Sequence, residues 1–373
     1  MTTRHVLRIS RLLALVLIAS VALAACGGAP ATTAPASGET AKVKIGFLYV
    51  GPTDDYGYNY AADQGRLYLQ KQLGDKVQTI SAENVPEDAN AERVMEQMIN
   101  NGATVIFPTS YGHFKPAVNE SKKHPAIDFW HQGGLAPDAN VGSFFGEIWQ
   151  MVYASGVAAG KMTKTNKLGY IVAFPIPQVL ENINAFELGA KSVNPSATTT
   201  VVFTASWCDP AKNSAAANSL IDQGVDVLTQ HQDCPKPVIE TAEKRGVMSV
   251  GYHADASPVA PKGWITAAVW NWGPIYTKLA EQAMDGKFKP ELLRFGVKDG
   301  VVDLAPFGAN VPKDVQELVT KVKQDIIAGK VMPFQGPIKN QDGKVVIEGP
   351  QPDTITLEKM DYLVEGVVGT IPK

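Results

Sequence analysis

The chain has 373 residues, of which 45% are hydrophobic, and its 34 basic and 37 acidic side chains give a net charge of −3. The basic residues form no patch with interleaved aromatic residues, which argues against a nucleic-acid partner. Beyond the N-terminal segment no hydrophobic run is long enough to cross a bilayer as a helix, so a body outside the membrane is expected.

The N-terminal segment has the pattern of a secretory signal peptide. Three arginines precede the apolar run Leu12–Ala25, which is shorter than the roughly 20 residues of a membrane-spanning helix. The junction Leu23-Ala24-Ala25-Cys26 resembles a bacterial lipobox, in which the cysteine is lipid-modified and becomes the N-terminus. The alternative is an ordinary signal peptide with a chance cysteine. We therefore predict that residues 1–25 are a lipoprotein signal peptide and that Cys26 is lipidated.

Residues 26–41 are rich in Gly, Ala, Pro and Thr and have little to bury, which indicates a flexible tether. A lipid anchor on Cys26 would hold the protein on a membrane without crossing it, in the periplasm or on the outer face of the cell. Without residues 1–25 the chain has 31 basic and 37 acidic side chains, a net charge of −6. The body that follows, about 330 residues long, is large enough for two ordinary α/β lobes.

The body opens with a strand–loop–helix unit, Lys44–Gly65. The apolar run Ile45–Val50 suits a buried strand, Gly51-Pro52 interrupts it, and helical spacing begins near Tyr60. The loop between them carries carboxylates, aromatic rings and an amide. Ligands of open α/β sheets bind outside the carboxyl ends of the strands. This loop is therefore a candidate binding element; the alternative is a polar connecting loop.

Strands and helices alternate through the body in two successive series, which predicts an α/β fold with parallel sheets covered by helices. We expect two Rossmann-like lobes with a ligand cleft between them. The first lobe is predicted to take residues 42–150 and to be completed by about 264–300, and the second to take 151–263 and to be completed by about 301–373. Within the tail, 292–297 and 301–305 are predicted to form a hairpin.

Polar and aromatic side chains gather at the ends of the predicted strands. Rings together with carboxylates and amides suit a flat, polar, uncharged ligand, because the rings stack on its faces and fixed donors and acceptors bond its edge. For any single tryptophan the alternative is packing in the core. The candidate ligand-binding residues are Asp55, Tyr58, Asn59, Ser110, Tyr111, Trp130, Trp207, Asp209, His253, Asp255, Trp270, Asn271 and Trp272.

Enzymatic motifs are mostly absent. The sequence has no G-x-G-x-x-G after a strand, no Walker loop, no H-E-x-x-H and no G-x-S-x-G. His231 and Cys234 are close enough in sequence to suggest a thiol nucleophile with a base, but a third group is missing. The histidines and acids show no metal-binding spacing. We expect a protein that is not an enzyme and that needs no metal or cofactor.

Several long motifs of the body resemble the basic membrane protein (Bmp) family, the substrate-binding lipoproteins of ABC importers. The resemblance extends from Lys42 to the end of the chain and is carried by KIGFLYVGP…DYGYN, SW-DPAK, LIDQGVDVL-QH, VWNWGP and KDGVVDLAPFG. It implies a type I periplasmic-binding fold, in which three crossovers join two lobes and the ligand lies between them. Many members bind purine nucleosides or related bases, and an aromatic residue from each lobe sandwiches the purine.

Position by position, the resemblance implies roles for four residues. Asp55 corresponds to the acid at the purine edge, Tyr58 to the stacking aromatic and Asn59 to the asparagine beside it. Trp207, in SWCDP, takes the stacking position of the second lobe. The chain is therefore expected to bind its ligand between two rings, as a monomer, and to serve ABC permease subunits.

Two departures from the family favour a free base. Nucleoside-binding members place an aspartate and a lysine against the ribose hydroxyls, whereas this chain has His253, in GYHAD, and Trp270, in VWNWG. The loss of a charged pair and the gain of a ring leave less room and fewer partners for a sugar. An adenine-like nucleobase is therefore expected over a nucleoside. The alternatives are a sugar or signalling ligand, and a nucleoside hydrolase acting in the same cleft.

The two remaining cysteines are predicted to form a disulfide. With Cys26 lipidated, Cys208 and Cys234 are an even pair in an oxidising compartment. Each follows a predicted strand, 199–204 or 225–229, and the two strands could be neighbours in a parallel sheet, with their ends about 4.8 Å apart. That spacing suits the Cα separation of a disulfide. Two free thiols in the cleft wall are the alternative.

Overall fold

The computed structural model describes residues 42–372, so the predicted signal peptide, Cys26 and the tether lie outside the described residues. The strands are β1 (Val43–Leu48), β2 (Val77–Ala82), β3 (Ala103–Pro108), β4 (Asp128–Gln132), β5 (Val141–Gly146), β6 (Lys167–Val172), β7 (Thr198–Phe203), β8 (Val227–His231), β9 (Met248–His253), β10 (Trp264–Trp270), β11 (Leu292–Phe295), β12 (Val302–Leu304), β13 (Ile338–Lys339), β14 (Val345–Ile347) and β15 (Val367–Val368). The helices are α1 (Tyr58–Leu73), α2 (Ala89–Asn100), α3 (Phe114–Lys123), α4 (Trp149–Met162), α5 (Pro177–Val193), α6 (Pro210–Asp222), α7 (Lys236–Arg245), α8 (Gly273–Met284), α9 (Lys313–Ile327) and α10 (Thr354–Leu357).

Six strands form the sheet of the first lobe in the order β11-β5-β4-β3-β1-β2, and their pairings are parallel. The strands β1, β3 and β5 are almost wholly buried, as expected where helices cover both faces of a sheet. The helices α1 and α8 pack closely on each other. Gly65 permits this approach, because a Cβ there would lie 2.8 Å from the ring of Tyr276.

The sheet of the second lobe has seven strands in the order β12-β10-β9-β8-β6-β7-β15, and β12 runs antiparallel to β10. On this lobe α4 and α5 pack with their backbones almost touching. A Cβ on Gly156 would lie 2.2 Å from the carbonyl oxygen of Phe186, and one on Gly189 would lie 2.1 Å from that of Tyr153. These small residues set the spacing of the helix pair that supports the sheet.

The chain passes between the two sheets three times: between β5 and α4, between β10 and α8, and between β11 and β12. The predicted fold class, an α/β protein with two parallel-sheet lobes, is confirmed. Because strands of both sheets end at the boundary between the lobes, their carboxyl-end loops face each other there.

Two details of the predicted tail differ from the structure. The strand β10 lies in the range assigned to the first lobe, but it pairs with β9 in the second sheet. The predicted hairpin is absent, because β11 pairs with β5 of one sheet and β12 with β10 of the other. The turn at Gly300 therefore serves the third crossing. The alternation of strands and helices along the sequence identifies the strands, but it does not show in which of the two sheets a given strand pairs.

Candidate ligand-binding site

A cavity lies between the two lobes, at the carboxyl ends of strands from both sheets. Together with the solvent at its mouth it has about 390 Å³ of space not filled by atoms. The lining residues are Tyr58, Ser110, Tyr111, Gln132, Gly133 and Phe145 from the first lobe, and Ile176, Gln178, Trp207, His231, Asp233, Tyr252, His253 and Trp270 from the second.

The first-lobe wall is built around Tyr58, the first residue of α1. Its hydroxyl donates to the carbonyl oxygen of Thr109 (2.7 Å) and accepts from the side-chain amide of Gln132 (2.9 Å). The hydroxyl of Tyr276 donates to the carbonyl oxygen of that amide. Burial raises the pKa of Tyr58 well above its ordinary value, so the hydroxyl stays protonated. Hydrogen bonds within the lobe therefore hold the ring in place.

A cluster of rings closes one side of the cavity. The indole Nε1 of Trp270 donates to Nδ1 of His253 at 2.9 Å, which leaves the imidazole proton on Nε2. Burial, with His231 nearby, lowers the pKa of His253 well below its ordinary value, so the ring is neutral. Its centroid lies 5.3 Å from that of Tyr58 and 4.0 Å from that of Tyr252. His253 has a φ of 82°, a left-handed conformation that is uncommon for residues other than glycine and recurs at functional sites.

The second-lobe wall carries Trp207 and Asp233. The Trp207 ring is partly exposed and lies edge-on to Phe174, with centroids 5.2 Å apart. The backbone N–H of Asp233 donates to the carbonyl oxygen of Trp207 at 2.7 Å, so the two residues are held together. Burial raises the pKa of Asp233 well above its ordinary value, and the carboxylates of Glu87 and Asp55 add to the shift. Burial and the two nearby carboxylates therefore favour the neutral form of the Asp233 carboxyl.

The two lobes touch beside the cavity. The backbone N–H of Tyr58 donates to the carbonyl oxygen of Asp233 (3.1 Å), and the side-chain amide of Gln178 donates to that of Gly133 (3.0 Å). Gly57 makes the first contact possible, because a Cβ at this position would lie 1.7 Å from the Asp233 oxygen. The structure therefore describes a closed cleft.

Six of the thirteen predicted residues line the cavity: Tyr58, Ser110, Tyr111, Trp207, His253 and Trp270. Asp55 lies outside the lining. Its Oδ1 accepts from the backbone N–H of Gly57 at 2.9 Å, and burial raises its pKa to about 6. Asn59 is fully buried in the first turn of α1, with its amide nitrogen against the Gly51 backbone.

Two predicted tryptophans belong to the core. Trp130 is fully buried in the first lobe, where its ring is edge-on to Phe288. Trp272 is also buried and stacks on Trp270 with centroids 4.5 Å apart, behind the ring that lines the cavity. For these two rings the alternative of core packing is the one that the structure shows.

Three predicted polar residues bond the backbone near their own position. Asp209 caps the N-terminus of α6, and Asp255 accepts from the backbone N–H of Ser257 at 2.9 Å. Asn271 is exposed and donates to the carbonyl oxygen of Gly300 at 3.0 Å. Short polar side chains after strands are suited to caps and turns as well as to ligands, and here they serve the turns.

Sequence reasoning misses eight residues of the lining: Gln132, Gly133, Phe145, Ile176, Gln178, His231, Asp233 and Tyr252. Gln132, His231 and Asp233 stand at or just past a strand end, so the strand-end criterion could have found them. Phe145 and Tyr252 lie inside β5 and β9, where an aromatic residue is expected to be part of the core. Nothing in the sequence distinguishes Ile176 and Gln178.

Cys208 and Cys234 are joined in a disulfide, with their Cα atoms 5.2 Å apart. The two cysteines do not follow adjacent strands as predicted, because β6 lies between β7 and β8 in the sheet. The loops after these strands meet above the end of β6 instead. The carboxylate of Asp55 lies within 4.8 Å of both sulfurs, the one such compact group of potential metal ligands among residues 42–372. Sulfurs bonded to each other are not thiolates and do not hold a metal ion.

None of the helices in residues 42–372 has the length and apolar composition needed to span a membrane. Two α/β lobes that close over a cavity of rings and uncharged polar groups define a substrate-binding protein of the periplasmic type. The chain belongs to the Bmp family, the PnrA-like substrate-binding proteins of ABC transporters, which matches residues 42–335. Such proteins bind a ligand and permease components outside the cytoplasm and are not enzymes.

Two relatives agree with this assignment, and a solved structure agrees with the fold. A purine-binding protein of Brucella abortus is 41% identical over 89% of this chain and 95% of its own length. A protein of Haloferax volcanii, named as a candidate glucose-binding protein of an ABC transporter, is 34% identical over 91% of this chain and 83% of its own. The fold matches a solute-binding protein of an ABC transporter system from Aeropyrum pernix with a TM-score of 0.67, at 17% identity, over 85% of this chain and 96% of that one.

Proposed function

We propose that this protein binds a purine base resembling adenine in the cavity between its lobes and delivers it to ABC permease subunits. The observation that carries the proposal is the pairing of Tyr58 from one lobe with Trp207 from the other on the same small cavity. Flat heteroaromatic ligands gain about 1–3 kcal/mol for each ring that stacks on them. The purine-binding relative at 41% identity supports the same ligand class.

The polar groups around the rings also suit an uncharged base. His253 is neutral because burial lowers its pKa, and burial raises the pKa of Asp233, which favours its neutral form. The side chains that line the cavity include no lysine or arginine, so a phosphate or carboxylate ligand would lack a counter-charge. A neutral ligand with donors and acceptors on its edge is the better match.

A free base is favoured over a nucleoside. The hydrogen bond between Trp270 and His253 is internal and uses His253 Nδ1. By the family resemblance, these two residues correspond to the positions at which nucleoside-binding members hold the ribose hydroxyls with charged side chains. A ribose here would face an indole and a neutral imidazole. Of these two side chains only the buried Nε2–H of His253 has no partner among residues 42–372, so the ribose hydroxyls would lack the charged pair of those members.

A sugar is the second candidate, because the Haloferax relative is named for glucose and pyranose rings also pack against aromatic side chains. Calorimetric titration of the purified protein with adenine, adenosine and glucose separates these ligands. We expect adenine to bind most tightly, adenosine more weakly, and glucose not at all. Tighter binding of adenosine would contradict the role given to His253 and Trp270, and binding of glucose alone would replace the purine proposal.

We further propose that Cys26 carries the lipid anchor and that the protein works as a monomer. The signal-peptide pattern of residues 1–25 and the lipobox-like junction support the anchor. Expression of the full chain with Cys26→Ala should move it from the membrane fraction to the soluble fraction. Light scattering of the body without residues 1–26 should give the mass of one chain. A membrane-bound Cys26→Ala variant would contradict the anchor.

A further inference from the structure

We propose that Asp233, rather than Asp55, is the carboxyl group that hydrogen-bonds the edge of the ligand. The inference rests on the proposed function, since it takes the ligand to be a purine base. Family resemblance gives this role to Asp55, whereas Asp233 carries no role from the resemblance. The two carboxyls differ in what they contact, and that difference can be tested.

Asp233 lies in the cavity lining and is only 6% exposed. Its backbone is fixed at both ends, because its N–H donates to Trp207 and its carbonyl oxygen accepts from Tyr58. Its carboxyl oxygens, in contrast, make no hydrogen bond to any of residues 42–372. The carboxyl therefore has hydrogen-bonding capacity that none of these protein groups uses. A ligand in the cavity can use that capacity, and Trp207 lies next to it as a stacking surface.

Asp55 has a different set of contacts. Its Oδ1 accepts from the backbone N–H of Gly57, which fixes the turn that leads into α1. Its Oδ2 is buried and has no hydrogen-bond partner among residues 42–372, but it lies outside the cavity. The carboxylate faces the sulfurs of the disulfide on the other lobe, within 4.8 Å, and is not part of the lining. Asp55 therefore shapes the loop that carries Gly57 and Tyr58, and its effect on binding is indirect.

The surroundings of Asp233 decide its charge. The carboxylates of Glu87 and Asp55 face it from the first lobe, and both disfavour its ionised form. The pKa of His231 is lowered to about 3 by burial and that of His253 is also lowered, so neither supplies a positive charge. The phenols of Tyr58 and Tyr252, whose pKa values are raised by burial, are neutral. In the closed cleft Asp233 is therefore a carboxylic acid with one donor and one acceptor.

A carboxylic acid matches an edge on which an acceptor and a donor are adjacent. Adenine has this arrangement at its N7 and 6-amino positions, and a carboxylate, which only accepts, would leave the ring nitrogen without a partner. An asparagine side chain has the same donor and acceptor and is known to pair with this edge of adenine. Asn should therefore replace Asp233 with little loss, whereas Ala should not.

Proton uptake follows from this chemistry. In an open cleft Asp233 is exposed to water, where an aspartate has a pKa of about 3.9, so it is ionised at pH 7.5. Closure over the ligand raises the pKa of Asp233, so binding takes up a proton. Affinity should then fall by up to about tenfold for each unit of rising pH until the pKa of the closed form is reached. At pH 7.5 Asp55, with a pKa of about 6, is ionised and adds almost nothing to the uptake.

The test is calorimetric titration with adenine at pH 7.5 in phosphate and in Tris, whose ionisation enthalpies differ, and again at pH 8.5. The parent protein should take up protons when it binds adenine and should bind more weakly at pH 8.5. Asp233→Asn should bind adenine within about threefold of the parent at pH 7.5, take up no proton and lose the pH dependence. Asp233→Ala should bind about 10- to 100-fold more weakly. Asp55→Asn is the matched control and should keep the proton uptake.

Two results would overturn the assignment: proton uptake that persists in Asp233→Asn, or uptake that disappears in Asp55→Asn. A thermal melt of each variant separates lost binding from lost folding, and Asp233→Asn replaces one neutral group with another of nearly the same shape. If the parent binds adenine without proton uptake, only the role of Asp233 fails. If the parent binds no purine, the proposed function fails and the inference fails with it.

Discussion

The two walls of the cavity are constructed in different ways. On the first lobe the Tyr58 hydroxyl bonds Thr109 and Gln132, so its polar group is already satisfied before a ligand arrives. On the second lobe Trp207 is partly exposed and the Asp233 carboxyl has no partner among residues 42–372. The first wall therefore supplies a fixed surface, and the second supplies the groups that a ligand must satisfy. Specificity should depend mainly on the second lobe.

The contact between the two walls links closure of the lobes to recognition of the ligand. The Tyr58 N–H of the fixed wall bonds the carbonyl oxygen of Asp233, a lining residue whose carboxyl makes no hydrogen bond within residues 42–372. Closure thus brings the first lobe onto the peptide that carries the recognition group. A ligand that bonds the Asp233 side chain stabilises the same loop, so it favours the closed form over the open one by its extra contacts.

The largest loss of adenine affinity is expected for a substitution that prevents the two walls from touching. In Gly57→Ala the new Cβ would lie 1.7 Å from the Asp233 carbonyl oxygen, which no small shift relieves. We expect adenine binding to weaken by about 100-fold or more and small-angle scattering to show no compaction on addition of adenine. Gly349→Ala is the matched control, because a Cβ there meets nothing within 4 Å. Closure and tight binding by Gly57→Ala would show that this contact is dispensable.

The next effect concerns the stacking ring of the second wall. Trp207→Ala removes one face of the site, and stacking on a base is worth roughly 1–3 kcal/mol, so adenine should bind about 5- to 150-fold more weakly in calorimetry. Trp207→Phe keeps a ring and should recover most of the affinity. Because the Trp207 ring packs mainly on Phe174 and is partly exposed, the melting temperature should change little. Unchanged affinity in Trp207→Ala would remove this ring from the site.

The disulfide should stabilise the second wall more than it affects binding. It closes a loop with a sequence separation of 26 residues, which is worth about 3 kcal/mol on the chain-entropy estimate. Urea unfolding of the Cys208→Ser, Cys234→Ser double variant should show a loss of that order, and the reduced parent protein should behave alike. Two reactive thiols in unreduced, denatured protein exported under oxidising conditions would contradict the bond itself.

The smallest change in binding is expected in the fixed wall. Tyr58→Phe keeps the ring but leaves the Gln132 amide and the Thr109 carbonyl oxygen without the hydroxyl. The free energy of unfolding should fall by about 1–3 kcal/mol, while adenine affinity should stay within a few-fold of the parent. Denaturant titration and calorimetry measure the two quantities. A large loss of affinity at unchanged stability would show that the Tyr58 hydroxyl, too, contacts the ligand.

The sequence predicts the parts of this site that depend on local chain order. A buried strand followed by a polar loop and a helix indicates where Tyr58 lies, and the same pattern indicates Trp207. The sequence does not tell whether β6 lies between β7 and β8, because the order of strands depends on contacts far along the chain. It also cannot separate Asp55 from Asp233. Both follow strands, and only the packing of one lobe on the other decides which carboxyl faces the cavity.

The sequence also does not show which aromatic residues face the cavity, because this too depends on how the strands and lobes pack. Trp270 and Trp272 are two positions apart, and one lines the cavity while the other stacks behind it in the core. Tyr252 and Phe145 lie inside strands, and they reach the cavity only because the sheets end at the boundary between the lobes. Residue type and spacing indicate a ring-rich cleft. Which rings face the ligand depends on the three-dimensional placement of strands.

A crystal structure of the protein with adenine bound tests the division of roles most directly. We expect the base to lie between the rings of Tyr58 and Trp207, with the Asp233 carboxyl in hydrogen-bond contact, about 2.6–3.2 Å, with its edge. We expect Asp55 to remain bonded to the Gly57 N–H, away from the base. A base whose edge is bonded by Asp55, or a base that lies outside the cavity, would contradict the division of roles between the two walls.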